Sequence, residues 1–197
     1  MAAAGATTLA FGCSCGGLRG DVVDVTPAAF THVVCHCGDC RSAYTHLGQA
    51  DPRSVPIMQT TQDRVRVTAG GENLQVFRHS PRGALRWYAA CCGVPLVYTP
   101  LKARLVHAGL NVDRLDDPSR LGAPVGEAFI PTPDGRHRHR GTLRFATGFL
   151  TRLLARNIDG RWRGSFFFGD DGAPIREPRI LTGEERRAAL AVLRARA

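Results

Sequence analysis

The chain has 197 residues, 44% of them hydrophobic, and a formal net charge of +9 from 26 Lys and Arg against 17 Asp and Glu. That length suits one ordinary domain with an appendage, and that apolar content builds a core without disulfide staples. No run reaches the roughly 18 apolar residues of a membrane span, and residues 1–10 lack the basic start and apolar stretch of a secretory signal, so the expected setting is the reducing cytoplasm.

In chain order, 22 glycines and 12 prolines favour short strands joined by turns. Residues 18–25 and 32–35 read as strands around Thr26-Pro27. The alternation of Arg64-Val65-Arg66-Val67-Thr68 marks a half-buried strand, and residues 73–78 return after a turn at 69–72. Residues 85–89, 96–98 and 104–108 are further strand candidates.

The character changes after about Pro131. Arg136-His137-Arg138-His139-Arg140 is a basic run that reads as a solvated loop. From 143 to 157, helical spacing puts Leu143, Ala146, Phe149, Leu150, Leu153 and Leu154 on one face, with Arg144, Arg152 and Arg156 off it. The expectation is that this face packs on the β unit while the arginines stay in water. Trp162 and Phe166 to Phe168 read as a hydrophobic closure, and Thr182-Gly183-Glu184-Glu185 opens a last helix toward Arg194. The predicted architecture is a mostly β unit over residues 9–130 with a basic, more helical C-terminal extension over 131–197 packed on it.

The chemistry lies in seven cysteines grouped as Cys13/Cys15, Cys35/Cys37/Cys40 and Cys91/Cys92. Thiolates on short glycine-bearing turns can reach one ion, whereas inert core cysteines have no reason to cluster there. Clusters one and three offer four sulfurs, enough for a closed tetrahedral site of the structural kind. Adjacent strand residues point to opposite faces, so Cys91 and Cys92 can share an ion only at a kink or bulge. Cluster two offers three sulfurs from one loop. Either it keeps an open position for water or a thiol substrate, or a fourth protein ligand from elsewhere closes it. His36 is expected to point away from the ion, and Arg41 is a candidate for binding a substrate carboxylate.

The stretches Gly12-Cys13-Ser14-Cys15-Gly16, Cys35-His36-Cys37-Gly38-Asp39-Cys40-Arg41 and Cys92-Gly93-Val94-Pro95-Leu96 follow one another in an order that resembles the glutathione-dependent formaldehyde-activating enzyme family, which includes centromere protein V. The resemblance covers roughly residues 9–130, and residues 108–118 are similar to a late stretch of that domain with insertions. It implies a zinc-bound β-tent of several short coiled sheets. It implies a structural zinc on Cys13, Cys15 and Cys92, and a second zinc on Cys35, Cys37 and Cys40. It further implies carbon–sulfur lyase activity of the S-(hydroxymethyl)glutathione synthase kind, joining a small thiol such as glutathione to formaldehyde. The family's third motif calls for a cysteine where Ala89 stands, so either Cys91 supplies the fourth ligand or the first site is incomplete.

A rival reading makes the chain a non-catalytic, zinc-stabilised binding module. The eight arginines between 136 and 163 would then contact nucleic acid or protein. A small thiol partner is the favoured expectation and nucleic acid the lesser one. The oligomeric state has no sequence signal.

Overall fold

The computed structural model describes residues 7–194. The chain runs β1 (Leu9–Gly12), β2 (Arg19–Val22), β3 (Thr31–Cys35), α1 (Gly38–His46), β4 (Val55–Thr61), β5 (Val65–Ala69), β6 (Leu74–Arg78), β7 (Leu85–Ala89), β8 (Val94–Thr99), β9 (His107–Asn111), β10 (Gly126–Pro131), β11 (His137–Arg140), α2 (Thr142–Ile158), β12 (Arg179–Ile180) and α3 (Gly183–Arg194). The fold class is mostly β with a more helical C-terminal part.

Two sheets form. One has three antiparallel strands in the order β1-β2-β5. The other has nine strands in the order β11-β10-β3-β4-β9-β8-β7-β6-β12. Its pairings are antiparallel except β10 with β3 and β12 with β6. One apolar core joins the sheets: Leu9, Phe11 and Val22 of the small sheet meet Leu74, Leu85, Trp87, Leu96 and Leu110 of the large one. Strand alternation explains the choice, since Leu85, Trp87 and Ala89 are buried on one face of β7 while Arg86 and Tyr88 face the other way. Trp87 donates its indole N–H to Thr99 Oγ1 at 3.0 Å and lies 5.0 Å from the Phe167 ring. The aromatic run at 166–168 thus closes the core, as the sequence implied.

The C-terminal extension is woven into the large sheet, supplying both outer strands, β11 and β12. An exposed sheet edge is a template for unwanted pairing, and capping both ends removes it from the central strands. The expected loop at 136–140 is therefore a strand, paired with β10 across the Pro133-Asp134-Gly135 turn. The expected strand over 104–108 is instead a 3-10 turn at Ala103–Leu105, and the strand begins at His107 after Val106 takes a left-handed φ of 38°. The cysteine loop at 37–40 proves to be the start of α1.

Helix α2 only half-seats. Phe149 and Leu153 turn inward, and Phe149 packs edge-on against His107 at 5.4 Å. Leu143 (78%), Leu150 (52%), Leu154 (61%) and Ile158 (85%) stay exposed. The predicted apolar face is wider than the surface it meets, and part of that surface is taken by arginines. Arg152 bonds Thr31 Oγ1 at 2.9 Å, and Arg156 pairs with Asp63 at 3.3 Å. This overturns the expectation of solvated arginines for Arg152 and Arg156, while Arg144 is exposed. Among the described residues no helix is long and apolar enough to cross a membrane.

Candidate metal centres

All seven cysteines carry free thiols and converge into two groups, Cys13/Cys15/Cys91/Cys92 and Cys35/Cys37/Cys40. Within each group the sulfurs lie within 4.8 Å of one another.

The first group is built by two turns. β1 ends at Gly12, and the loop after it closes with Cys13 N–H donating to Leu18 O at 3.0 Å and Leu18 N–H donating to Cys13 Sγ at 3.2 Å. A side chain at Gly17 would sit 3.1 Å from Cys91 Sγ, so glycine there lets the two turns touch. Cys91 and Cys92 occupy the hairpin turn between β7 and β8, closed by Gly93 N–H on Ala89 O at 2.8 Å. Gly93 takes φ +65°, a left-handed conformation that favours glycine. Adjacent cysteines on a turn escape the opposite-face rule of a strand, so both sulfurs reach the group. Asn73 ties the turns together, donating Nδ2–H to Gly17 O at 2.8 Å and accepting Ala90 N–H at 2.8 Å.

Sulfur separations are 3.5 Å for Cys13–Cys15, 3.6 Å for Cys13–Cys91 and 3.3 Å for Cys15–Cys91. Disulfide sulfurs would lie at about 2.05 Å. Four sulfurs around an ion at about 2.3 Å stand about 3.8 Å apart, so this donor set fits a tetrahedral divalent metal. Ala89, where the resembled family has a cysteine, is fully buried in the apolar core. The Cys91 sulfur lies within 4.8 Å of the other three.

The second group sits at the start of α1. Cys35 is the last residue of β3, and its sulfur lies 3.3 Å from Cys37 Sγ. Cys37 is the N-cap of α1, its sulfur accepting Cys40 N–H at 3.3 Å. Helix N-termini favour negative charge, and in this loop Cys40 is the sulfur that carries it most readily, while Cys37 is pushed up to about 11. Hydrogen bonds from Cys35 and Cys37 hold Cys40 well below the usual thiol range, with the Arg86 guanidinium adding to the effect. Cys35 is pushed up by its hydrogen bonds with Cys37 and Cys40 and by burial. Among the described residues no fourth metal-ligating side chain joins these three.

Helix α1 spans about 14 Å from one group to the other. Beyond its C-terminus, Gln49 donates to Cys92 O at 3.1 Å. His36 turns to Glu127, 3.1 Å away, rather than to the sulfurs. Arg41 donates Nε–H to Asp51 Oδ1 at 2.9 Å in a two-pronged pair that pins α1 to the following loop. The guanidinium proposed for a substrate carboxylate is thus committed to an internal one.

A cavity of about 380 Å³ adjoins Cys35. Val33, Ile57, Tyr98, Phe129 and Phe145 give it apolar walls, and Gln59, Glu127, His139 and Arg140 supply polar groups. Gln59 is 4% exposed, and its Oε1 has no hydrogen-bond partner among the described residues. The walls come from both parts of the chain, the cysteine-bearing strands and the extension. Arg86, Gln59 and Tyr98 carried no sequence signal beyond their places in strands. Arg86 could have been suspected as a charge inside the apolar run Leu85-Arg86-Trp87-Tyr88-Ala89.

No curated protein matches the chain. Its fold is similar to the crystal structure of a Rhodobacter sphaeroides protein, a Northeast Structural Genomics target, with 24% identity, a TM-score of 0.42, and coverage of 58% of this chain and 96% of that one. A family model described as a family of unknown function, DUF6151, matches residues 6–143. That match takes in both cysteine groups and well over half of the sequence, and the chain therefore belongs to the DUF6151 family.

Proposed function

We propose that this protein is a zinc enzyme joining or parting a small thiol and an aldehyde, with a structural ion on Cys13, Cys15, Cys91 and Cys92 and a reactive one on Cys35, Cys37 and Cys40. The observation that carries the reading is the three-sulfur group next to a cavity of about 380 Å³, beside a separate four-sulfur group that needs no further ligand. The motif resemblance to the formaldehyde-activating family supports it.

A divalent ion at the second group would supply Lewis-acid stabilisation of a substrate thiolate. The chain's own residues prepare for that charge. The N-terminus of α1 and the Arg86 guanidinium, 3.6 Å from Cys40 Sγ, offset the negative sulfurs. Phe129 and Phe145 give the cavity apolar walls, and Gln59, whose Oε1 has no partner among the described residues, lines it. Forming the adduct makes one carbon–sulfur bond and moves the thiol proton to the aldehyde oxygen; the reverse step breaks that bond, and neither direction changes oxidation state. Glu127 and His139 at the cavity wall are placed to carry the proton.

The test is adduct formation with formaldehyde across a series of thiols, glutathione among them, at full zinc loading. Turnover that Cys37→Ser abolishes supports the proposal, and no turnover with any thiol overturns it. The exposure of every residue of β11, with sequence His137-Arg138-His139-Arg140, favours a second reading as a nucleic-acid-binding module. Steeply salt-dependent DNA or RNA affinity, lost on neutralising Arg136 and Arg138, would select it.

A further inference from the structure

A trough runs between α2 and the loop Thr26 to Thr31, away from both cysteine groups. It comprises a cavity of about 560 Å³ and a neighbouring one of about 270 Å³, sharing Ala28, Thr151 and Arg152 in their walls. Four arginines line it: Arg144 and Arg152 in the larger part, Arg64, Arg152 and Arg156 in the smaller. No Asp or Glu lines either part.

The arginines are not equivalent. Arg156 is satisfied by Asp63 at 3.3 Å and Asp159 at 2.7 Å. Arg64 donates to Asp24 O at 2.7 Å and lies 3.6 Å from the Asp24 carboxylate. Arg152 has no carboxylate partner among the described residues, and its one hydrogen bond there goes to Thr31 Oγ1. Burial, with the charge of Arg64 adding, lowers its pKa to about 10. A half-buried cation with no counterion, beside a second cation, is a standing cost to the fold.

The helix makes room for this arginine. Gly148 lies in the interior of α2, where glycine is the least favourable residue after proline. A Cβ there would sit 2.8 Å from Thr31 Oγ1 and 3.1 Å from an Arg152 guanidinium nitrogen. Pro27, Phe30, Leu121 and Val125 supply an apolar part of the wall. His32 Nδ1 bonds Gly122 O at 2.8 Å, while its Nε2, in the same wall, has no partner.

We propose that this trough is a binding site for a small organic oxyanion, with Arg152 and Arg144 taking a phosphate or carboxylate head and Pro27, Phe30, Leu121 and Val125 taking an apolar body. Guanidinium forks pair with either head in two-pronged fashion. The site is independent of the cysteine groups and of any reaction there.

The experiment titrates the full-length, metal-loaded protein with phenyl phosphate, benzoate and inorganic phosphate, reading heat and melting temperature. Phenyl phosphate or benzoate binding at least tenfold tighter than inorganic phosphate is expected, and the tighter of the two identifies the head group. Arg152→Gln should weaken that binding at least tenfold while raising the melting temperature without ligand, because it removes an uncompensated charge. Gly148→Ala provides a second variant that improves helix propensity, and it should weaken binding severalfold by displacing the guanidinium. The proposal is overturned if none of the three anions binds, or if both variants bind them as the unaltered protein does.

Discussion

The Arg86 guanidinium lies 3.6 Å from Cys40 Sγ and 5.4 Å from the centre of the Tyr98 ring, joining the second cysteine group to the wall of the 380 Å³ cavity. Arg86 is not a ligand, yet its charge adds to the hydrogen bonds from Cys35 and Cys37 that favour the Cys40 thiolate. Groups next to metal ligands tune affinity by about 10–100-fold. Arg86→Met should therefore lower zinc affinity at the second group at least tenfold and leave the first group unaltered. Chelator competition against each site measures it; equal loss at both sites would mean that Arg86 acts only through packing.

The placement of Cys91 gives a second prediction. Cys91→Ala should release one ion per chain and cost several kcal/mol of stability, because binding to a four-sulfur site is folding energy. Restoring the resembled family's pattern with Ala89→Cys in that background should not recover the ion, since Ala89 is fully buried in the apolar core. Metal content and chemical denaturation of the single and double variants decide it.

Acid sensitivity follows from His107. Burial, with the charge of Arg152 adding, lowers its pKa from 6.5 to about 4, and its Nε2 sits 3.1 Å from the Tyr98 hydroxyl. The folded state therefore favours neutral His107. Its contribution is complete above pH 6.5 and is lost as the pH falls from there through about 4. The full loss is about 3 kcal/mol. His107→Gln should shrink the stability difference between pH 7 and pH 4 by that order, measured by urea unfolding under matched metal conditions.

Half-seating of α2 predicts unequal costs along one helix. Leu150→Gln and Leu154→Gln should each change stability by no more than about 0.5 kcal/mol, since exposed positions tolerate substitution. Phe149→Ala should cost about 1–3 kcal/mol through lost packing on His107. Thermal unfolding of the three variants separates this geometry from a fully docked apolar face, which would make all three costly.

Much of this was legible in residue order. Alternation placed β5 and the turn after it placed β6, each within a residue or two; helical spacing placed α2, a capping box placed α3, and cysteine spacing anticipated both groups. Helix α1 was hidden because Gly38-Asp39-Cys40-Arg41-Ser42 shows no apolar period; it forms because Cys37 caps it and α3 and the sheet cover it. Strand β11 was hidden because His137-Arg138-His139-Arg140 has no apolar face, and it exists by pairing with β10. The inward turn of Arg152 was hidden because Gly148, which permits it, reads only as a weak point in a helix. The pairing of Arg41 was hidden because its partner Asp51 is ten residues away, across a loop. In each case the deciding contact is long-range or breaks the local pattern.

The most direct test of the two-centre account is native mass spectrometry of the fully reduced, full-length protein beside its Cys37→Ser variant. The account predicts two zinc ions on the unaltered chain and one on the variant. A chain without metal, or a variant that keeps every ion of the parent, would contradict it.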